Sequence, residues 1–412
     1  MAAANLLSDT PILKTLYPQD DIQREWHEHM PLYAMMDKRE DFTGANLVLA
    51  LRIATTQGRS RQFNNAQANK TSTKLGKFTV TRARDYSIYS IDGETIMACG
   101  DDKGAIVDSV TTEVDGAMDA IKLNTGRSIY RNFGGQIGAI ALTSTLSTTV
   151  LTLNDLNTVI FFEVGQVIDS APTDGTTGTV NSGYQVLAAV DRQLGLLTGT
   201  VAWTAAIPAA LNNSNGTFGD YLFTDGDFGQ SCSGLASWVP PTAPGGGDNF
   251  FGLNRSIDPV RYAGVRCTQT SGAAPEEAIQ KGIQQVYRQG GKPKVVFEND
   301  ADFLNLVLSL GSRIMYEDVE VDAEIGFEGV KIVGPYGPVT VLPDPNCPQG
   351  AAWAVDMDSW SFRSLEEFPQ FLDLDKLGRM VRETSSDSYE GRIGGYYNTM
   401  TDAPGRTGYI PL

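Results

Sequence analysis

The chain has 412 residues, 41% of them apolar and 20% charged, with a formal net charge of −17. That length buries a substantial core and suits two or three domains, and the composition is globular rather than disordered. The acidic balance argues against a dedicated nucleic-acid binder, which needs a basic footprint to release phosphate counterions.

Cys99, Cys232, Cys267 and Cys347 stand far apart with no CxxC pair. Neither a disulfide framework nor a zinc site is expected, and a reducing compartment fits. The opening stretch MAAANLLSDTPILKTLYPQDD has no charged region followed by a long apolar run. No segment approaches the roughly 18–20 apolar residues that span a bilayer. The expectation is a soluble protein made inside a cell, without membrane attachment.

Residues 1–45 form an arm. Pro11, Pro18 and Pro31 break it into pieces, with Ile12, Leu13, Leu16, Trp26, Leu32, Tyr33, Met35 and Met36 as scattered anchors. Such a segment forms no core of its own and must lie along something else. His27 and His29, the two histidines of the chain, flank Glu28 with no identifiable third ligand, so no metal site is expected.

An apolar run at 46–53, a polar stretch at 55–74 and the strand-like KFTVTRARDYSIYSI from Lys77 predict an extended hairpin. Between Ala50 and Arg84 lie eight basic residues (Arg52, Arg59, Arg61, Lys70, Lys74, Lys77, Arg82 and Arg84) and no acidic one. The rest of the chain holds 24 basic against 49 acidic residues, so an acidic body carries a basic arm. A solvated loop, a nucleic-acid patch, and an arm that reaches the acidic body of an identical neighbour all remain open on this pattern.

From Asp101 to Asn132 the spacing predicts one long helix. Asp101 or Asp102 supplies the N-cap, and Ile106, Val110, Val114, Met118 and Ile121 share one stripe. Its length is on the order of 40 Å. Gly104, Gly116 and Gly126 each cost roughly 1 kcal/mol against Ala, so packing must hold it.

Residues 141–230 change character, with one basic residue (Arg192), eight acidic residues and fifteen threonines. Runs such as TVLTL, VIFF, YQVL and LLTGTVAW between turn clusters predict a small all-β module, placed as an insertion. Residues 231–274 read as a Gly/Pro-rich linker (WVPPTAPGGGDN) followed by FFGLNRSIDPVRYAGVR. Pro275 then opens an amphipathic helix carrying Ala278, Ile279, Ile283, Val286 and Tyr287, closed by Gly290-Gly291. The strand KVVF leads to Asn299, which caps a further helix with Phe303, Leu304, Val307 and Leu308. Short strands and tight turns follow, and SDSYEGRIGGYYNTM closes the pattern, an α+β arrangement overall.

No catalytic signature is present: no GxSxG elbow, P-loop or HExxH. Gly134-Gly135-Gln-Ile-Gly138 follows a helix instead of opening one and fails the dinucleotide-loop context. Asp225-Gly-Asp227 lacks the twelve-residue calcium loop and reads as a turn. The paired acids Asp20-Asp21, Asp101-Asp102, Glu276-Glu277 and Glu366-Glu367 read as solvated surface. No catalytic, cofactor-binding or metal-binding residue is assigned, and no enzymatic activity is expected.

The order of parts resembles the major capsid proteins of tailed double-stranded-DNA bacteriophages. The residues that carry the resemblance are FTVTRARDYSIYSIDGETI, DDKGAIVDSVTTEVDGAMDAI, FFGLNRSIDPVRYAGVR, PEEAIQKGIQQVYRQGGKPKVVFENDADFLNLVLSL and DSYEGRIGGYY. The resemblance implies an α+β capsid fold with a long spine helix, an extended E-loop hairpin and an inserted small all-β domain. It implies an N-arm at 1–45, the E-loop at 46–92 and the peripheral (P) domain with its spine at 93–140. The insertion takes 141–230, linker and P-domain continuation 231–293, the axial (A) domain 294–362, and a return to the P-domain 363–412. The eight basic residues become intersubunit contacts. Lys70, Lys74 and Lys77 are available for cross-linking, though no flanking motif assigns a bond. The implied partners are copies of the chain in hexamers and pentamers of an icosahedral virion shell assembled in the bacterial cytoplasm. A portal, packaged DNA held without sequence-specific binding and an optional decoration protein complete the set. Because the arm starts near Met1, scaffolding is expected from a separate protein. A nanocompartment shell of the same fold, or a β-rich attachment or carbohydrate-binding protein, are the competing readings.

Overall fold

A computed structural model describes residues 30–92, 109–207, 218–268, 273–310, 316–321, 325–335, 337–372, 380–384 and 386–412. The histidine cluster, most of the arm, Cys99, the proposed cap at Asp101 or Asp102, and Ile106 lie outside them, as does the side chain of Val110. The chain divides into two compact units. One gathers Ala83–Cys232 and Glu366–Tyr396; the other gathers Pro31–Arg82, Ser233–Leu365 and Tyr397–Leu412.

In the first unit, the helix described over Ser109–Ser128 lies on the strand Ala83–Asp92. Alternation sends Tyr89 and Ile91 to the helix side, where they meet Ala117, Ile121 and Ile393, with Val114, Met118, Phe368 and Phe371 packed around them. The helix ends at Ser128, short of the expected Asn132. There the Ser128 hydroxyl donates to the Thr125 carbonyl (3.0 Å) and the Tyr130 N–H to that of Arg127 (3.2 Å), tightening the last turn. Residues 388–396 of the strand Ser388–Thr401 pair with Ala83–Asp92 and, antiparallel, with Gln370–Phe371 and Met380–Arg382. Gly391 leaves room for the Tyr89 ring, which a Cβ would strike. Gly391→Ala is therefore expected to cost about 1–3 kcal/mol by overpacking, read as a lower thermal midpoint.

The same unit holds a six-stranded antiparallel sheet in the order Gly138–Ala139, Tyr221–Thr224, Val167–Ala171, Gln185–Asp191, Leu196–Gly199, Val150–Thr152. Leu151, Phe162, Ile168, Leu187, Leu197, Trp203 and Leu222 form its core, and the Trp203 indole donates to the Thr149 carbonyl (3.0 Å). Gly134 has a packing purpose: a Cβ there would collide with the Asp174 carbonyl, beside the Asn132–Asp174 side-chain bond (2.8 Å).

The second unit is built on a seven-stranded mixed sheet in the order Val265–Arg266, Gly408–Pro411, Ala351–Val355, Val295–Glu298, Gly337–Pro343, Ile325–Gly334, Tyr316–Val321. The helices Pro275–Arg288 and Asp300–Leu310 cover one face, burying Ile279, Ile283, Val286, Val296, Leu306, Val339, Val341 and Ile410 together. Pro275 occupies the first turn with Glu276 and Glu277 behind it, where the helix dipole favours carboxylates. The Asn299 side chain accepts from the Ala301 N–H (3.0 Å), as a cap should. The sheet recruits 265–266 and 408–411, and Pro275–Arg288 packs on it. It therefore extends past the expected 294–362 on both sides. The C-terminal segment likewise does not return as one piece, since 397–412 belongs to this unit. In the same unit Asp37–Arg39 runs parallel to Trp360–Ser364, which pairs antiparallel with 397–401.

The stretch expected as a linker is core instead. Trp238 is fully buried, its indole donating to the Thr399 carbonyl (3.0 Å), with Phe78 and Phe250 edge-on at 5.2 and 5.1 Å. Arg255, 7% exposed, pairs with Asp248 (2.6 Å), donates to the Ser237 carbonyl (2.6 Å) and lies over the Phe250 ring. Glycines and prolines dominate the local composition, but the aromatic residues between them decide the packing. No helix among the described residues is long and apolar enough to cross a membrane.

Candidate assembly interface

The hairpin is an antiparallel ribbon of Asn46–Ala54 and Lys74–Thr81, Asn46 opposite Thr81, with an irregularity between Arg52 and Ala54. A short helix, Phe63–Ala68, forms the tip. The expected continuous strand through Ile91 is broken at Arg82, so Ala83–Asp92 leaves the ribbon for the sheet under the helix. The cause is local. Arg82 is half-buried, donates to the Phe42 carbonyl (2.9 Å) and lies over the Phe42 ring at 5.5 Å.

The base of the ribbon is pinned. Phe78 and Val80 are fully buried, Gly76 lets Ile53 and Leu253 come close, and the Thr79 N–H donates to the Phe251 carbonyl (2.8 Å). Arg261 and the Tyr262 hydroxyl both donate to the Ile53 carbonyl, at 3.1 and 3.2 Å. Towards the tip these supports end, and Phe63 (78%) and Leu75 (71%) are exposed.

Of the eight expected contact residues, Arg52, Arg59, Arg61, Lys70, Lys74 and Lys77 are brought together, exposed, on this ribbon. None of the six makes an ion pair with the described residues. Arg82 is committed to the junction, and Arg84 is exposed on Ala83–Asp92 in the other unit. Of the expected helix stripe, Ile121 is buried and Val114 and Met118 are half-buried against Tyr89, Ile91 and Ile393. Trp238, Phe250 and Tyr262, which anchor the ribbon, were not expected as site residues; the aromatic density of 250–262 was the available signal.

Buried titratable groups lie elsewhere. Glu298 is fully buried at the end of its strand and neither carboxyl oxygen has a hydrogen-bond partner. Burial, with Asp302 nearby, pushes it up to about 8, so it is a neutral acid at pH 7. Asp302 itself accepts from the Gly350 N–H (2.7 Å). Burial first, then the charge of Asp225, raises Asp169 to about 6. The calcium-like Asp225-Gly-Asp227 forms a turn, with the Asp227 N–H on the Thr224 carbonyl (3.0 Å). Cys232, Cys267 and Cys347 are free and buried. Burial lifts the thiols of Cys232 and Cys267 to about 12, which leaves them protonated and unreactive. Among the described residues no group of three or more His, Cys, Asp and Glu is placed to hold a metal ion. A pinned ribbon whose six exposed cations make no ion pair with the described residues suits the grip of an acidic surface rather than bond chemistry.

Residues 198–384 match the family model of the SU10 major capsid protein. The fold is similar to the cyanophage A-1(L) capsid asymmetric unit, at 10% identity over 98% of this chain and 98% of that one, with a TM-score of 0.57. Weaker likenesses run to the holo-SrpI encapsulin complex of Synechococcus elongatus PCC 7942 (6% identity, 100% and 96% coverage, TM-score 0.49) and to Mycobacterium phage Ogopogo (9%, 96% and 96%, 0.45). No curated protein matches the chain in sequence.

Proposed function

We propose a division of labour for this chain, which belongs to the major capsid protein family of tailed double-stranded-DNA bacteriophages. It is a structural subunit that assembles with copies of itself into the shell of the virion. In our reading the ribbon 46–81 is the E-loop, clasping the next subunit around hexamers and pentamers. The helix Ser109–Ser128 and the strands beneath it are the P-domain with its spine, and the seven-stranded sheet is the core of the A-domain. The six-stranded sheet at 138–224 is an insertion with its own core, facing away from the packaged genome. The acidic body confines DNA without gripping it, which suits both packaging and ejection. A separate scaffolding protein and a portal work with the subunit in the host cytoplasm, with a decoration protein as an optional addition.

The observation that carries this reading is the ribbon: pinned at its base, it presents six exposed cations that make no ion pair with the described residues. Exposed charge pairs are screened within about 8–10 Å at physiological ionic strength. Sedimentation of the full-length chain across a salt series is therefore expected to show the assembled fraction falling steadily from about 50 to 500 mM salt. Assembly that strengthens with salt would point to an apolar clasp through Phe63 and Leu75.

A further inference from the structure

We infer that the tip of the ribbon in one copy docks on a corner of the inserted β module of a neighbouring copy, at Leu156, Val164 and Leu194. The pairing rests on the reading of the ribbon as an intersubunit arm and names the surface that the arm meets. The module offers side chains and no strand edge. The Ile140–Leu153 bridge joins its first strand to its last, with the Ala141 N–H on the Thr152 carbonyl (2.9 Å) and the Asn154 N–H on the Ala139 carbonyl (2.8 Å). The six-stranded sheet therefore closes on itself, which rules out strand addition there. At one corner the segments 153–164 and 191–195 are tied together. The Leu153 N–H donates to the Gly195 carbonyl (3.0 Å), the Leu156 side chain lies against Gly195, and Arg192 pairs with Glu163 (2.7 Å). Leu156 (50%), Val164 (65%) and Leu194 (63%) stand exposed on these segments. Grouped apolar side chains of this size, rimmed by polar ones, mark a contact surface.

The rim is acidic. Asp155 accepts from the Asn157 N–H (3.0 Å) and Asp191 from the N–H groups of Gln193 and Leu194 (both 3.0 Å). Neither carboxylate makes an ion pair with the described residues. Arg192, the one basic residue between 141 and 230, is held by Glu163. The ribbon tip is the complement. Arg59 and Arg61 precede the exposed Phe63, Lys70 and Lys74 precede the exposed Leu75, and no carboxylate occurs from Arg52 to Lys77. An apolar centre with a basic rim thus meets an apolar centre with an acidic one. The tip is also preformed. The Gln57 N–H donates to the Thr71 hydroxyl (2.9 Å), the Asn65 amide to the Gln62 side chain (2.9 Å), and Gly58 lets the Ala66 carbonyl and Lys70 come close. Such a tip loses little freedom on docking. Charge brings it to the corner and sets its register, and Phe63 and Leu75 hold it once water is excluded.

A charge swap in the full-length chain tests the pairing, with the assembled fraction measured by light scattering and electron microscopy at low salt. One variant carries Arg59→Glu, Arg61→Glu, Lys70→Glu and Lys74→Glu; a second carries Leu156→Lys, Val164→Lys and Leu194→Lys; a third combines them. Each set alone should lower the assembled fraction about tenfold or more, and the combination should restore at least about half of it. If the module variant assembles like the parent while the ribbon variant does not, this inference fails and the ribbon has another target, a different protein surface or DNA. If the ribbon variant assembles normally, the intersubunit reading of the ribbon falls too. Failure of the combined variant to recover overturns direct pairing. Should the lysine set fail to fold, Leu156→Ser, Val164→Ser and Leu194→Ser take its place. A fall of about threefold or more is then expected, and unchanged assembly overturns the inference.

Discussion

Reversing Arg59, Arg61, Lys70 and Lys74 to glutamate is expected to abolish closed-shell assembly and leave the subunit folded. All four side chains are exposed and make no ion pair with the described residues of their own chain, so the fold loses no bond when they change. Surface substitutions of this kind usually move stability by less than about 0.5 kcal/mol each. Assembly loses much more, because four attractive charges become four repulsive ones facing an acidic body. No single position is indispensable. Arg59→Ala should weaken assembly only a few-fold, in line with about 0–1 kcal/mol for one exposed pair. Arg82 behaves differently. Its bond to the Phe42 carbonyl and its place over the Phe42 ring make Arg82→Ala a stability mutation of about 1–2 kcal/mol. Melting curves and sedimentation velocity on the three variants separate these outcomes.

Glu298→Gln is expected to stabilise the protein, increasingly so as pH rises. In the folded chain Glu298 titrates at about 8, against 4.5 for the free side chain. A folded value above the unfolded one means that its contribution is fully present below about pH 4.5 and is lost as pH rises through about 8. Over that window the unfolded chain gains a charge that the fold forbids. Glutamine keeps the shape and removes the titration. The variant should match the parent near pH 4.5 and exceed it by on the order of 3 kcal/mol near pH 7. Thermal unfolding between about pH 4.5 and 9 checks this; equal melting points across the range would mean that Glu298 is hydrated or paired in solution.

Much of the architecture was legible in the sequence because its signals are local. The Asn299 cap, Pro275 at the start of its helix, the helix period through Val114, Met118 and Ile121, and the two-residue alternation in YSIYSI each report on neighbours within a turn or a strand. What failed was non-local. KFTVTRARDYSIYSI shows no break in its pattern, and the division at Arg82 depends on Phe42, forty residues earlier in the chain. The Gly/Pro-rich 231–274 reads as a linker because composition does not reveal that Trp238 will meet Phe78 and Phe250. The basic run between Arg52 and Lys77 was plain, yet sequence alone could not separate Arg82, bound at the junction, or Arg84, in the other unit, from the six that stay exposed on the ribbon. Glu298 carried no sequence signal; its partnerless burial arises from the junction of strand, helix and the turn at 344–350.

On the reading proposed above, this chain closes a shell by laying its ribbon on a neighbour. Electron cryomicroscopy of particles formed by the full-length chain tests it most directly. The expected result is a closed icosahedral shell in which the density for residues 46–81 of each subunit crosses onto the adjacent one. A ribbon folded back on its own subunit within such a shell, or a chain that stays monomeric at low salt, would overturn it.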